Sequence, residues 1–255
     1  MPMPASGKDW AYFFDIDGTL VDFVESPQGV RIDRDMQRLI EELYRSAEGA
    51  VALISGRSIA DVDRMFPGMH PPVAGQHGIE RRDNRGRIFH HAFPSAQLDR
   101  LRGRISEAVA RHSGLLLEDK GLSLALHYRR APRLGGFVHR LMRSLQAQTG
   151  QEYCLQSGKR VVEVKPAGSD KGYAISEFMR EPPFRGRTPV FVGDDITDEY
   201  GFVTVNRLGG HSVKVGPGPT AARWRLPSVQ AVRQWLEQSL AMAYGGNSTS
   251  KEANS

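Results

Sequence analysis

The sequence predicts an α/β fold in which a helix-covered parallel sheet is interrupted by an inserted α+β layer. Before residue 84 and after residue 165, short apolar runs of strand type alternate with amphipathic helices, an order typical of a parallel sheet. Between these positions the order changes to helix, two strands, helix and two strands, which indicates a smaller layer with its own core. Three polar clusters also follow directly after strand-like runs, where functional residues of an open parallel sheet are found.

The first part of the chain is predicted to form two strands and two helices. The aromatic run at residues 10–14 and the apolar run at residues 50–54 are typical of buried strands. Residues 33–47 carry apolar side chains at helical spacing and acidic side chains near the start, where the helix dipole favours them. A second helix is predicted over residues 58–66, with Ser58 as its N-cap.

The middle of the chain changes to helices and one-faced strands. Residues 95–112 and 134–149 each place apolar side chains on one face of a helix. Residues 122–128 alternate leucines with smaller or polar residues, as a strand with one buried face does. Residues 152–156 and 160–165 are predicted to form a hairpin around a short turn that contains glycine. We therefore expect an αββαββ layer here.

The α/β order then resumes. A helix is predicted over residues 170–179, and the apolar run at residues 189–193 is the next buried strand. A short helix from Thr197, a strand at residues 212–215 and a last helix that begins at Ser228 complete the pattern.

These patterns divide the chain into two domains. We expect a discontinuous core of residues 1–83 and 166–245, and an inserted α+β domain of residues 84–165. Residues 246–255 are polar and small, and we expect this tail to be disordered.

Composition restricts the classes of function that are compatible with the chain. Of its 255 residues, 40% are hydrophobic. The net charge is +5, and the basic residues are spread along the chain without a block of like charges, so a solvated basic surface explains the charge better than a nucleic-acid site does. The single cysteine, Cys154, excludes an intramolecular disulfide and indicates a reducing, cytoplasmic location. No export signal or membrane span is predicted. We expect a monomer without nucleic-acid or membrane partners, with an oligomer as the alternative.

Polar clusters follow three of the predicted strands. They are residues 15–17 (Asp-Ile-Asp), residues 55–57 (Ser-Gly-Arg) and residues 194–195 (Asp-Asp). The carboxyl ends of parallel strands share one edge of the sheet, where ligands bind. Lys171, at the start of a predicted helix, can direct its ammonium group to the same edge. The sequence therefore predicts one site built from four separate segments.

The residue types of this site indicate phosphoryl chemistry. Carboxylates gathered at one edge repel each other unless a cation lies among them, and oxygen ligands without histidine or cysteine suit Mg²⁺. A lysine, a serine hydroxyl and the backbone N–H groups of residues 17–19 can bind a phosphate. Two nearby carboxylates can act as nucleophile and proton donor. Taken alone, residues 15 and 17 could equally end a strand and cap a turn, and residues 55 and 57 could belong to a loop that caps the next helix.

The four motifs "DIDGTL", "SGR", "DKG" and "GDDITDE" resemble, in this order, those of the haloacid dehalogenase-type (HAD) phosphatases. The resemblance implies a Rossmann-like HAD core with an inserted α+β cap domain, and Mg²⁺ as cofactor. It implies that Asp15 is the nucleophile that forms an aspartyl phosphate, that Asp17 is the general acid/base with its backbone carbonyl on the metal, and that Asp194 is a metal ligand. Asp195 and Asp198 would complete or orient the metal shell.

The same resemblance implies a phosphate site. Its members would be Gly18, Thr19, Ser55, Gly56, Arg57 and the catalytic lysine Lys171. Arg57 has a second interpretation, in which it only pairs with a carboxylate of the core.

Within that superfamily the chain is similar to the trehalose-6-phosphate phosphatases. The segments that carry the similarity are "AGQHGIE", "LEDKGLSLALHYR", "RVVEVKPAGSDKG" and "VGDDITDE". In that family the cap closes over a phosphorylated disaccharide, which implies sugar contacts for Glu118, Lys120 and Glu163. Without the similarity, these charges would be interpreted as the solvated face of a hairpin. The spacing of His77 and the other histidines fits no zinc site, so they are interpreted as surface or packing residues.

The predicted reaction is Mg²⁺-dependent hydrolysis of trehalose 6-phosphate, a small-molecule sugar-phosphate substrate. One alternative keeps the chemistry and changes the sugar phosphate, to sucrose 6-phosphate, mannosyl-3-phosphoglycerate or a hexose phosphate. A second is a non-catalytic regulator that binds a sugar phosphate, and a third is a nucleic-acid-binding module, which lacks the expected basic stripe interleaved with aromatic residues.

Overall fold

The structure is a computed structural model, and it describes residue 7 and residues 9–22, 31–90 and 95–245. The tail that we expect to be disordered, residues 246–255, lies outside the described residues. The described residues divide into two compact units, one within residues 1–89 and 170–255 and the other within residues 90–169. Both junctions fall a few residues after the boundaries suggested by the sequence. At the first junction, the strand Ile88–His90 is hydrogen-bonded into the larger sheet.

The strands of the described residues are β1 (Trp10–Phe14), β2 (Val51–Ile54), β3 (Val73–Gly75), β4 (Glu80–Arg82), β5 (Ile88–His90), β6 (Leu116–Asp119), β7 (Leu124–His127), β8 (Tyr153–Gly158), β9 (Val161–Pro166), β10 (Thr188–Gly193), β11 (His211–Val215) and β12 (Trp224–Leu226). The α-helices are α1 (Arg34–Ser46), α2 (Ile59–Met65), α3 (Ser95–Arg111), α4 (Gly135–Gln146), α5 (Lys171–Phe178), α6 (Glu199–Arg207) and α7 (Val229–Gly245). Short 3₁₀ turns span Gln76–Gly78, Pro132–Leu134, Ala147–Thr149 and Ile196–Asp198.

The described part of the larger unit contains an eight-stranded sheet in the order β12-β11-β10-β1-β2-β3-β4-β5. Strand β1 pairs in parallel with β10 on one side and β2 on the other, so that Phe13 lies opposite Phe191 and Ala52. Every residue of β1 and β2 is buried, because parallel strands with helices on both faces have no solvent side. The carboxyl ends of β10, β1 and β2 therefore lie side by side.

The helices begin where their capping residues predict. The Asp33 side chain accepts a hydrogen bond from the backbone N–H of Met36 at the start of α1. Ser58 accepts one from the backbone N–H of Asp61, which confirms it as the N-cap of α2. Asp170 caps α5 in the same way, and this places Lys171 at the first position of that helix.

The second unit has a four-stranded antiparallel sheet in its described part, in the order β6-β7-β9-β8. Its core contains Leu124 and Leu126 of β7 and Val162 and Val164 of β9, which pack with apolar residues of α3 and α4. The alternate positions of these strands are on the opposite face of the sheet. This is the predicted αββαββ layer, so the α/β fold with an α+β insertion is confirmed.

Four strands differ from the sequence pattern. β3, β4, β5 and β12 are each three residues long, and the hydrophobic periodicity does not indicate them, because so short a segment contains less than two full periods of alternation. They extend the sheet at its two edges, away from β1. Among the helices of the described residues, none combines the length and hydrophobicity that a membrane span requires.

Candidate active site

Three neighbouring strands of the larger unit each end at a polar residue. Asp15 follows β1, Ser55 follows β2, and Asp194 follows β10. Asp15 and Ser55 continue the sheet by one residue, since their backbone N–H groups donate to the carbonyls of Val192 and Ala74, both at 2.9 Å. The side chains are thus presented from the rigid edge of a sheet.

A buried lysine links two carboxylates at this edge. The Nζ of Lys171 lies 2.7 Å from Oδ1 of Asp15 and 2.6 Å from Oδ1 of Asp198, and all three side chains are buried. Burial, with the charges of Asp198 and Asp194, raises the pKa of Asp15 well above its usual range, although Lys171 opposes the shift. Burial alone would lower the pKa of Lys171, but the charges of Asp15 and Asp198 outweigh it and raise this pKa. The lysine is therefore held as a cation.

Three carboxylates converge tightly enough to share a metal ion. Oxygens of Asp15, Asp194 and Asp198 lie within 4.8 Å of one another. Oδ1 of Asp194 is buried and accepts no hydrogen bond from the described residues. Burial and the charge of Asp198 raise the pKa of Asp194 to about 6. A set of carboxylate oxygens with one unpaired buried member fits Mg²⁺.

The two acidic residues of the turn after β10 differ in role. Asp198 is fully buried, and its Oδ2 accepts the backbone N–H groups of Asp194 and Asp195, both at 2.8 Å. Asp195 is exposed and its side chain accepts the backbone N–H of Ile196 at 2.7 Å, as the N-cap of the 3₁₀ turn. Asp198 lies in the carboxylate cluster, and Asp195 does not.

Asp17 pairs with Arg57. The two carboxylate oxygens of Asp17 accept hydrogen bonds from Nε and Nη2 of Arg57, each at 2.6 Å. This bidentate pair agrees with the second interpretation of Arg57, as the partner of a carboxylate of the core. The side chain of Asp17 is not a member of the three-carboxylate cluster.

The turn after β1 requires glycine. Gly18 has a φ of +83°, in the left-handed region, and its N–H donates to the carbonyl of Val21 at 2.8 Å. A Cβ atom on Gly18 would lie 2.2 Å from Oδ2 of Asp194. Thr19 is buried, and its hydroxyl lies 3.5 Å from Oδ2 of Asp15. The missing side chain of Gly18 thus lets the turn approach the carboxylate cluster.

Lys214 is a functional candidate that the sequence did not predict. Lys214 on β11 is buried, and its ammonium group donates to the backbone carbonyl of Asp194. Its strand pairs with β10 so that Lys214 lies opposite Gly193. The signal in the sequence is a lysine between two valines of a strand, and hydrophobic periodicity assigns such a lysine to the solvent-facing side.

The residues expected to contact a sugar lie in the second unit, on the sheet face away from its core. Glu163 is buried; its Oε2 lies 3.3 Å from Nζ of Lys120, and its Oε1 accepts the hydroxyl of Ser123 at 2.5 Å. Oε2 of Glu118 lies 2.8 Å from Nε2 of His127. The strand register places Glu118 and Glu163 in one cross-strand row, separated by a single residue of β7. Ser123 is a polar member of this group that the sequence analysis missed.

Comparison with known proteins gives a consistent result. A family model described as trehalose-phosphatase matches residues 13–230. The chain is 44% identical to the trehalose-6-phosphate phosphatase of Escherichia coli (strain K12), over 92% of this chain and 88% of that protein. It is 42% identical to a probable trehalose-phosphate phosphatase of Sinorhizobium fredii, over 88% and 85% of the two chains. The C-terminal domain of C. albicans trehalose-6-phosphate phosphatase has a similar fold, with a TM-score of 0.80 at 22% identity over 92% of this chain and 93% of that one.

Proposed function

The chain belongs to the trehalose-phosphatase family, and from this premise we propose that it hydrolyses trehalose 6-phosphate to trehalose and inorganic phosphate, with Mg²⁺ as cofactor. The observation that carries the proposal is the buried Asp15 at the end of β1, with Lys171 on one of its oxygens and two further carboxylates beside it. Such an arrangement combines a nucleophile with a fixed cation at the place where a phosphoryl group would bind.

In the proposed reaction, a carboxylate oxygen of Asp15 attacks phosphorus in line with the departing sugar oxygen. The bond between phosphorus and that oxygen breaks, and Asp17 gives it a proton. Water then attacks the aspartyl phosphate while Asp17 takes up its proton, so that phosphate leaves and Asp15 is regenerated. In the structure, Arg57 donates to both oxygens of the Asp17 carboxylate, so one of these hydrogen bonds has to open for Asp17 to carry the proton that it gives to the sugar oxygen. Lys171 and the hydroxyl of Ser55 are assigned to the phosphoryl oxygens.

Asp15, Asp194 and Asp198 are the side chains that we assign to the metal. When bound, Mg²⁺ supplies positive charge that offsets the phosphoryl oxygens. The backbone carbonyl of Asp17 is proposed as a further ligand, and the exposed Asp195 is assigned to the turn that carries Asp198, because its side chain caps that turn.

We assign Glu118, Lys120 and Glu163 to the sugar. Support comes from the paired charges of Lys120 and Glu163 on the face of the small sheet opposite its core, because charged groups form strong hydrogen bonds with hydroxyls. The rest of the proposal is a small-molecule substrate and, from the single cysteine, a cytoplasmic location.

Phosphate release tests the proposal. Purified protein with Mg²⁺ is assayed against trehalose 6-phosphate, sucrose 6-phosphate, mannosyl-3-phosphoglycerate and hexose phosphates. We expect trehalose 6-phosphate to be preferred by at least about tenfold in kcat/KM, roughly 1.4 kcal/mol of discrimination. Equal rates across the panel would overturn the substrate assignment and leave the phosphatase chemistry in place.

The nucleophile is tested by Asp15→Asn, which we expect to abolish turnover without unfolding the protein. The control is Asp35→Asn, because the Asp35 side chain is 74% exposed on α1. Wild-type activity in Asp15→Asn would overturn the mechanism.

A further inference from the structure

The segment between β3 and β4 has an unusual backbone. Gln76, His77 and Gly78 have φ values of +48°, +57° and +97°, so three consecutive residues are left-handed and two of them carry side chains. Side chains rarely adopt this conformation, because Cβ then approaches the backbone closely. Such strained residues persist only where surrounding contacts hold them, and they cluster at functional sites.

This segment is hydrogen-bonded to the loop that carries Ser55. The backbone N–H of His77 donates to the carbonyl of Ser55 at 2.9 Å, and that of Gln76 donates to the carbonyl of Arg57 at 2.8 Å. The carbonyl groups at both ends of the Ser55–Arg57 loop are therefore fixed by one short segment. Glu80, which follows the segment, accepts the backbone N–H of Ile59 at 2.8 Å and so holds the exit of the same loop.

The His77 side chain packs against the middle of that loop. A Cβ atom on Gly56 would lie 2.7 Å from Nε2 of His77 and 2.8 Å from its Cε1. The φ of Gly56 is outside the left-handed region, so glycine is required here by the space that the ring occupies and not by the backbone conformation.

The same segment also contacts the helix that carries the lysine. A Cβ atom on Gly78 would lie 3.1 Å from the carbonyl oxygen of Asp170 and 3.2 Å from Cβ of Ala174. Asp170 caps α5, and Lys171 is the next residue. The left-handed segment thus touches both elements that supply the proposed phosphate contacts Ser55 and Lys171.

We propose that His77 is a positioning residue for phosphate binding. Its imidazole ring packs on Gly56, and its backbone holds the carbonyl of Ser55, so that the Ser55 hydroxyl and the first turn of α5 keep the spacing that a phosphate needs. The inference rests on the proposed function, because it assigns those two elements to the phosphoryl group.

The test is His77→Asn, because asparagine tolerates the left-handed conformation and removes the ring. The readouts are the Kd of inorganic phosphate for the Mg²⁺-loaded protein, by calorimetry, and kcat and KM for trehalose 6-phosphate. We expect Kd and KM each to rise at least tenfold, with kcat reduced less. His70→Asn, whose parent side chain is 67% exposed, is the control and should change neither. A Kd within twofold of the wild type, or a wild-type protein that does not bind phosphate, overturns the inference.

A double-mutant cycle separates the contact from a general loss of structure. Gly56→Ala introduces a Cβ that collides with the His77 ring, so we expect a weaker Kd in the single variant. In Gly56→Ala/His77→Asn the collision is absent, and the combined loss should be smaller than the product of the single losses. Independent, multiplicative losses would overturn the proposed contact. The Kd needs no turnover, so failure of the inference is distinguishable from failure of the substrate assignment, which only the phosphate-release assay reports.

Discussion

Gly18→Ala separates the geometry of the active site from ordinary stability. The left-handed φ of +83° makes any side chain costly by about 1–2 kcal/mol. For a chain of this length, that corresponds to a fall of about 2–8 °C in Tm. The added Cβ would lie 2.2 Å from Oδ2 of Asp194, whereas ordinary contact begins at 3.4 Å, so the Asp194 carboxylate would have to move away from it by about 1 Å. Because a displacement of about 1 Å at a reacting site costs about 10²-fold, we expect kcat/KM for trehalose 6-phosphate to fall at least 10²-fold.

Gly68→Ala is the matched control for this substitution. Gly68 has a φ of +80°, and beyond its two chain neighbours no atom of the described residues lies within 4 Å of a Cβ placed on it. Gly68→Ala should therefore lose as much stability as Gly18→Ala and keep its activity. Thermal unfolding and phosphate release, measured on both variants, provide the comparison. The reasoning is refuted if Gly18→Ala keeps kcat/KM within threefold, or if Gly68→Ala loses activity to the same extent.

Three further predictions follow from the same structure. Lys171→Met leaves the buried carboxylates of Asp15 and Asp198 without their cation. The free energy of unfolding at pH 8, measured by urea titration, should therefore fall by about 3–5 kcal/mol, and a loss below about 1 kcal/mol would contradict the pairing. The folded-state pKa of Asp194, about 6, is raised above its unfolded value, so its contribution to stability is present at low pH and is lost as the pH rises through 6. Without Mg²⁺, Tm should therefore rise as the pH is lowered from 7 to 5, across the folded-state pKa, and it should rise less in Asp194→Asn. Equal slopes in the two proteins would refute the assignment. Gly103 lies inside α3, and beyond its two chain neighbours and the backbone of its own helix no described atom lies within 4 Å of its added Cβ. Gly103→Ala should therefore stabilise the protein by about 0.5–1 kcal/mol and leave kcat unchanged, and a lower free energy of unfolding would count against this.

The fold could be predicted because its signals are local. Strands β1, β2 and β10 are apolar runs buried on both faces, and α1, α2 and α5 begin at side chains that satisfy their first N–H groups. Such features depend on neighbours within a few residues. The three-residue strands β3 and β12 were beyond reach, since they are stabilised by the sheet edge to which they add.

The geometry of the candidate site could not be predicted from local sequence signals. The segment "GDDITDE" contains four acidic residues at nearby positions, and periodicity cannot rank them. The 3₁₀ turn Ile196–Asp198 directs Asp198 inward to Lys171 and leaves Asp195 at the surface as its cap. The pairing of Asp17 with Arg57 likewise joins residues 40 positions apart.

The sequence by itself determined the order of the helices and the longer strands, the insertion, and the four segments that carry the polar residues, because hydrophobic period, capping and motif order are local properties of the chain. Only the tertiary structure decided which carboxylates share a site, that Lys214 holds the carbonyl of Asp194, and that His77 packs on Gly56. These relations are distances between strand ends and turns that are far apart in the chain. They follow from the sheet register, which arises only when the whole core is packed.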